Sequence, residues 1–214
     1  MQHLLSSNLE RLLQYGVAFF WTITYMMIIY KGFRDRTCGM PLAALCANIT
    51  WEFLFSFVLP FSPLQQIITM IWFLLDCIIL LQLFYYSKRQ YPIWPIKSVV
   101  LSLLAIALLL HYGITTEFHD IEGKYSAFGI NLMMSILFIR MLLTNDLLGQ
   151  STYIGYFKMI GTLGASILCY SQYPQSILLA IMYILIFILD VAYILLMNNK
   201  SVKIIYRSNT YKQL

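Results

Sequence analysis

Apolar runs of close to twenty residues, broken by short polar or proline-bearing segments, recur along the whole chain. A helix of about 20 apolar residues crosses a hydrocarbon core of ~30 Å, and seven such runs are legible, over about 12–31, 40–61, 65–86, 95–113, 124–144, 152–171 and 174–198. Pro41, Pro63, Pro95 and Pro174 stand at or near their starts, where a missing N–H is harmless. The pattern predicts an all-α membrane protein, a seven-transmembrane helix bundle with short connections, forming one domain over 1–214. The first run is too long for a removable leader and lacks a small-residue cleavage site, so no signal peptide is expected.

Composition narrows the class. Hydrophobic residues make up 60% of the 214 and charged residues 11%, with a mean hydropathy of +0.75. That balance excludes a soluble domain of this size. The charges sort by side. Twelve of the fourteen Lys and Arg residues, from Lys31, Arg34 and Arg36 to Lys200, Lys203, Arg207 and Lys212, fall on one face, and Arg11 and Lys124 on the other, beside Glu117, Asp120 and Glu122. The positive-inside rule then places the N-terminus outside and the C-terminus in the cytoplasm. The net charge of +5 thus reads as topology and contact with anionic lipid headgroups, with no nucleic-acid partner. Cys38, Cys46, Cys77 and Cys169 have no disulfide or zinc spacing and read as small buried hydrophobes. His3, His111 and His119 form no ligand cluster, and no metal site is expected.

Against this background three carboxylates stand out. Glu52, Asp76 and Asp190 lie inside the runs, roughly 18, 15 and 12 Å from the basic ends of their helices at ~1.5 Å per residue. They are expected to share one layer near the membrane centre. A charge at that depth costs at least ~2.5–3.5 kcal/mol, so each needs a partner, a proton or a purpose. A carboxyl out of water favours its protonated form and so becomes a general acid held in reserve. Asn48, one turn before Glu52, is placed to orient that carboxyl. Trp72 precedes Asp76 by one turn, and Tyr183, Phe187 and Tyr193 flank Asp190 on its helix. Aromatic faces beside an acid suit a cationic intermediate, although in a chain with 16% aromatics any single ring more often simply packs.

A short internal match aligns residues 71–76 with 185–190, each ending in aspartate. It suggests three helices, a linker helix and three more, a 3+1+3 parallel repeat known from transport folds. In that arrangement Asp76 and Asp190 would face each other across an axis along the membrane normal. Midplane acids in such a repeat give the alternative reading, a proton-coupled or small-solute transporter. No adjacent aspartates occur, so neither the magnesium motif of diphosphate-ionising terpene synthases nor the acidic cluster of soluble proton-initiated cyclases is present. The last run also has no central lysine for a retinal Schiff base, and no phosphate loop is found.

Gly39-Met40-Pro41-Leu42-Ala43-Ala44-Leu45, then Asn48 and Trp51-Glu52-Phe53, resembles the second-helix signature of the small integral-membrane terpene cyclases of fungal meroterpenoid and indole-diterpenoid pathways, which also have bacterial relatives. The likeness continues through Trp72, Asp76, Asn131, Met134-Ser135, Phe138, Gly149-Gln150-Ser151 and Gly161-Thr162 to Asp190 and Tyr193. The resemblance implies a metal-independent, cofactor-free enzyme. It would protonate a linear prenyl or epoxyprenyl chain on an aromatic or heteroaromatic head, using Glu52 and Asp190 as catalytic acids and Asp76 as a third candidate. Trp51, Trp72 and Tyr183 would line the pocket. A lipid-soluble prenylated substrate and membrane lipids would be the partners. The head is expected near the cytoplasmic end, within reach of Lys158 or Arg140, although both are expected chiefly to snorkel to the lipid surface. Endoplasmic reticulum follows for a fungal host and the inner membrane for a bacterium.

Overall fold

The computed structural model describes residues 4–211, with side chains described from 4 to 200. His3, Lys203, Arg207 and Lys212, used above in reading the histidines and the charge, lie outside those side chains. Seven helices run in chain order: α1 Ser7–Asp35, α2 Leu42–Phe53, α3 Pro63–Gln90, α4 Ile96–Glu117, α5 Lys124–Asn145, α6 Thr152–Gln172 and α7 Ile177–Tyr211. Five of them (α1, α3, α4, α5 and α7) are long and apolar enough to span a membrane; α2 with its extension to Val58 is shorter, and α6 is not among the five.

The helix ends follow the local chemistry. Ser62 caps α3, accepting the Gln65 N–H at 3.2 Å, with Pro63 in the first turn. Asp120 anchors the start of α5 by accepting the Tyr125 N–H at 2.8 Å and the Lys124 ammonium at 2.8 Å. The helix of α2 widens into a π-turn over Leu54–Val58, closed by the Leu59 N–H donating to the Leu54 carbonyl at 2.8 Å. Pro174 lies in the turn ahead of α7 rather than at its first residue.

Neighbouring helices reveal the repeat. α1 packs on α3 and α6, α2 on α3 and α5, and α7 on both α5 and α6. Exchanging α1 with α5, α2 with α6 and α3 with α7 leaves this set of pairs unchanged, while α4 packs chiefly on α2. The loops leading into α2 and α6 meet. Gly149, in the left-handed region at φ +73°, lies so close to Gly39 that a Cβ there would come 3.0 Å from the Gly39 Cα. Its N–H donates to the Asp35 carboxylate at 2.9 Å.

Candidate active site

Five helices each contribute one stripe to a cavity of about 400 Å³. The residues recur at helical spacing: Gln14, Val17, Ala18, Trp21 and Tyr25 from α1; Asn48, Trp51 and Glu52 from α2; Gln65, Ile68 and Trp72 from α3; Ala127, Ile130, Asn131 and Met134 from α5; and Ala165, Leu168, Cys169 and Gln172 from α6. The two ends differ in polarity. The mouth, where α3 and α5 begin and α6 ends, carries Gln14, Ser62, Gln65, Glu122, Lys124 and Gln172. The blind end is formed by Tyr25, Glu52, Trp72 and Met134, all buried. This mouth lies at the opposite end of the bundle from the basic face, away from where the head group was expected.

Glu52 sits at that blind end in a close polar group. The Asn48 amide nitrogen lies 2.8 Å from Glu52 Oε1, 2.9 Å from Asp76 Oδ2 and 2.6 Å from the Tyr25 hydroxyl. The Tyr25 hydroxyl in turn donates to Glu52 Oε1 at 2.7 Å. Asp76 is fully buried and Glu52 exposes 1% of its surface. One oxygen of each carboxyl, Glu52 Oε2 and Asp76 Oδ1, accepts no hydrogen bond from a donor among the described residues, and the two carboxyls lie within hydrogen-bonding reach of each other. Thus the amide is shared by two acids, and no cation is among their hydrogen-bond partners. Trp72 stacks beside Tyr25, with ring centroids 6.3 Å apart, and donates its indole N–H to Thr22 at 3.1 Å. Trp51 donates to Gly123 and Ser126, which fixes its ring in the cavity wall.

Asp190 is not part of this group. Its two carboxylate oxygens accept from the Lys158 ammonium at 2.7 and 3.0 Å, and Ser135 bonds both partners at 2.7 Å. Lys158 is therefore buried, with 4% of its side chain exposed, and does not snorkel. Asp190 faces α6 and α5, so an ion pair inside the bundle outcompetes reaching the lipid surface. The layer of three acids divides into two clusters, and Asp190 does not face Asp76. Tyr183 and Phe187, together with Asp190 itself, line a smaller cavity of about 230 Å³, not the main one. Tyr193 is buried edge-to-face on Phe138, with centroids 5.7 Å apart. Arg140, near the end of α5, does not line the main cavity either.

The two clusters occupy matching places in the repeat. Gly39 and Gly149, Tyr25 and Ser135, Asn48 and Lys158, and Glu52 and Thr162 are all separated by the same number of residues, and Asp76 and Asp190 by slightly more. The bonds match too: Asn48 contacts Tyr25 and Asp76, as Lys158 contacts Ser135 and Asp190. Sequence reasoning missed Tyr25, Trp21 and the Lys158–Asp190 pair. The fixed separation from the Gly39 loop to the Gly149 loop was the signal that could have located the second cluster.

The sequence profile of the Pyr4-like transmembrane terpene cyclases matches residues 3–199. The chain belongs to this family. Among similar family members, the "Pyr4-family terpene cyclase mfmH" of Annulohypoxylon moriforme is 28% identical over 78% of this chain and 74% of its own length. The "Terpene cyclase macJ" of Penicillium terrestre is 32% identical over 68% of this chain and 60% of its own. The "Asnovolin H synthase nvfL" of Aspergillus novofumigatus is 29% identical over 66% and 62%. The matches to the last two thus span about three fifths of those relatives' length. No solved structure matches the chain. Membership in a family of membrane terpene cyclases fits a lipid-dissolved prenyl substrate and takes precedence over the transport reading.

At the mouth, the Tyr173 hydroxyl donates to Glu122 at 2.8 Å. Burial and that carboxylate acceptor hold its phenol well above the usual range, so it remains a donor. The Lys124 ammonium lies 4.2 Å from the Tyr173 ring centroid. The rim is thereby an ordered polar collar around an aromatic-lined interior.

Proposed function

We propose that this chain is a membrane-bound terpene cyclase in which Glu52 protonates the far end of a linear prenyl chain and starts a carbocation cascade. The observation that carries this reading is the pair of buried carboxyls sharing the Asn48 amide at the apolar blind end of the cavity. With no cation bonded to them, two bare carboxylates at one amide would repel each other out of water, so the pair carries a proton between them. Asp76, not on the cavity lining, holds the pair's remaining charge, and Glu52, on the lining, delivers the proton.

An amphiphilic substrate enters tail first. Its terminal alkene or epoxide reaches Glu52, while its polar aromatic head stays at the collar of Gln65, Glu122, Lys124 and Gln172. Protonation of the terminal alkene carbon or the epoxide oxygen places positive charge beside Trp51, Trp72, Trp21 and Tyr25, whose faces stabilise it. Successive double bonds attack the cation, and loss of a proton from carbon ends the cascade. One proton is taken up and one released, so the product is an isomer of the substrate. No diphosphate leaves, so the chemistry does not require a metal to assist departure. The buried, aromatic inner end limits early capture of the cation by water.

The test is a product assay. Membranes containing the protein are incubated with farnesyl chains on an aromatic head, with and without a terminal epoxide. A cyclised isomer of unchanged mass is expected, and its formation falls about a thousandfold in Glu52→Gln, the middle of the range for a general acid. Full activity of Glu52→Gln would overturn the assignment.

A further inference from the structure

The Lys158–Asp190–Ser135 cluster is a buried polar group that the proton transfer above does not use. Its geometry is closed. An ammonium has three donors, and those of Lys158 face Asp190 Oδ1, Asp190 Oδ2 and Ser135 Oγ, all within 3.0 Å. Neither Lys158 nor Asp190 lines the main cavity; Asp190 lines the smaller one, together with Tyr183 and Phe187. What the cluster does touch is the cavity wall. Ser135 lies 3.0 Å from the Asn131 carbonyl, one turn along α5, and the Asn131 amide donates to Thr162 of α6 at 3.0 Å. These links clamp α5 to α6 directly behind the lining residues Asn131 and Met134. On the α1 side, Trp21 is seated over Gly161, whose Cβ position lies 2.9 Å from Trp21 Cδ1, and Lys158 Nζ lies 6.0 Å from the ring centroid.

We propose that Lys158 is a positioning residue: its neutral ion pair with Asp190 fixes the wall formed by Trp21, Asn131 and Met134, and the reaction needs the pair rather than a proton from Asp190. The proposal rests on the cyclase reading and adds a second site to it. A buried pair responds asymmetrically to mutation. Removing one ion leaves the other charged and unpaired, whereas replacing both by apolar side chains of similar volume is often tolerated. The loss from one ion passes through wall geometry, and misplacement by 1 Å lowers rate by about a hundredfold.

The decisive experiment measures rate and product spectrum for Lys158→Met, Asp190→Asn, the double variant Lys158→Met/Asp190→Leu, and Lys158→Arg, each purified in detergent and checked by size-exclusion chromatography and thermal melting. Each single neutralisation is expected to lower kcat about a hundredfold. It should also raise the share of incompletely cyclised products, which a loss of folded protein alone would not change. The double variant is expected to regain at least about tenfold over Asp190→Asn and to restore the product ratio, and Lys158→Arg to retain both, because the pair is either absent or intact. A folded double variant no more active than Asp190→Asn would overturn the proposal and make the Asp190 carboxyl itself the needed group. Wild-type rates and products in both singles would overturn it equally. Glu52→Gln, run alongside, separates the two readings: it tests proton delivery, and its outcome does not depend on the wall.

Discussion

The first half of the repeat places an amide between two acids, and the second places an ammonium beside one. Asn48 holds Glu52 and Asp76 without a compensating charge, and in the proposed mechanism their shared proton is the one delivered at the end of the cavity. Lys158, in the matching place, pairs with Asp190 at 2.7 Å. The residue matching Glu52 is Thr162, which accepts a hydrogen bond from the Asn131 amide. On the proposed reading, the same backbone arrangement serves as a proton donor in one half and as a brace in the other, and the amide or ammonium distinguishes them.

That comparison can be broken most severely by making the halves alike. Asn48→Lys would give the first cluster the cation that the second has. Product formation is expected to fall about a thousandfold, as for loss of the acid itself, with membrane insertion retained. Asp76→Asn keeps a polar side chain beside Asn48 but removes the partner charge; a loss of about a hundredfold in kcat, within the general-acid range, is expected in the same assay. Tyr25→Phe removes one hydrogen bond to Glu52 Oε1. A tenfold fall in kcat, equivalent to about 1.4 kcal/mol, is the expected cost. Gly161→Ala puts a methyl group against Trp21, 2.9 Å from Cδ1. Overpacking of that kind costs about 1–3 kcal/mol, and the ring's shift should appear as altered product ratios with only a few-fold change in rate. An unchanged product ratio there would mean that Trp21 does not shape the cascade.

Much of the fold was legible from the chain. Helix number and the approximate positions of the helices follow from run length and proline placement, because lipid leaves the backbone no alternative to closing its own hydrogen bonds, although α1 and α7 run well past their apolar runs. The corrections are local. α2 ends in a π-turn, a backbone choice that leaves no mark on hydropathy. Lys158 reads as a snorkelling residue from sequence because its partner, Asp190, lies on another helix whose rotation the sequence does not reveal. The acids were visible individually through their cost in lipid, but their grouping was not. Depth along a helix is a one-dimensional quantity, and three residues at similar depth can face three different ways.

The sequence by itself determined the class, the helices, the family signature from Gly39 to Tyr193, and the near neighbours of Glu52 on its own helix, since i and i+4 residues meet whatever surrounds them. Tertiary structure alone decided that Tyr25 and Asp76 join Glu52 while Asp190 joins Lys158, and that the cavity opens away from the basic face. The reason is physical. Between helices in lipid there is no hydrophobic driving force to fix rotation, so close approach at small residues such as Gly161 and the pairing of buried polar groups set which faces meet. Those contacts bring together residues far apart in the chain, and only their assembly separates the Glu52–Asp76 cluster from the Lys158–Asp190 pair.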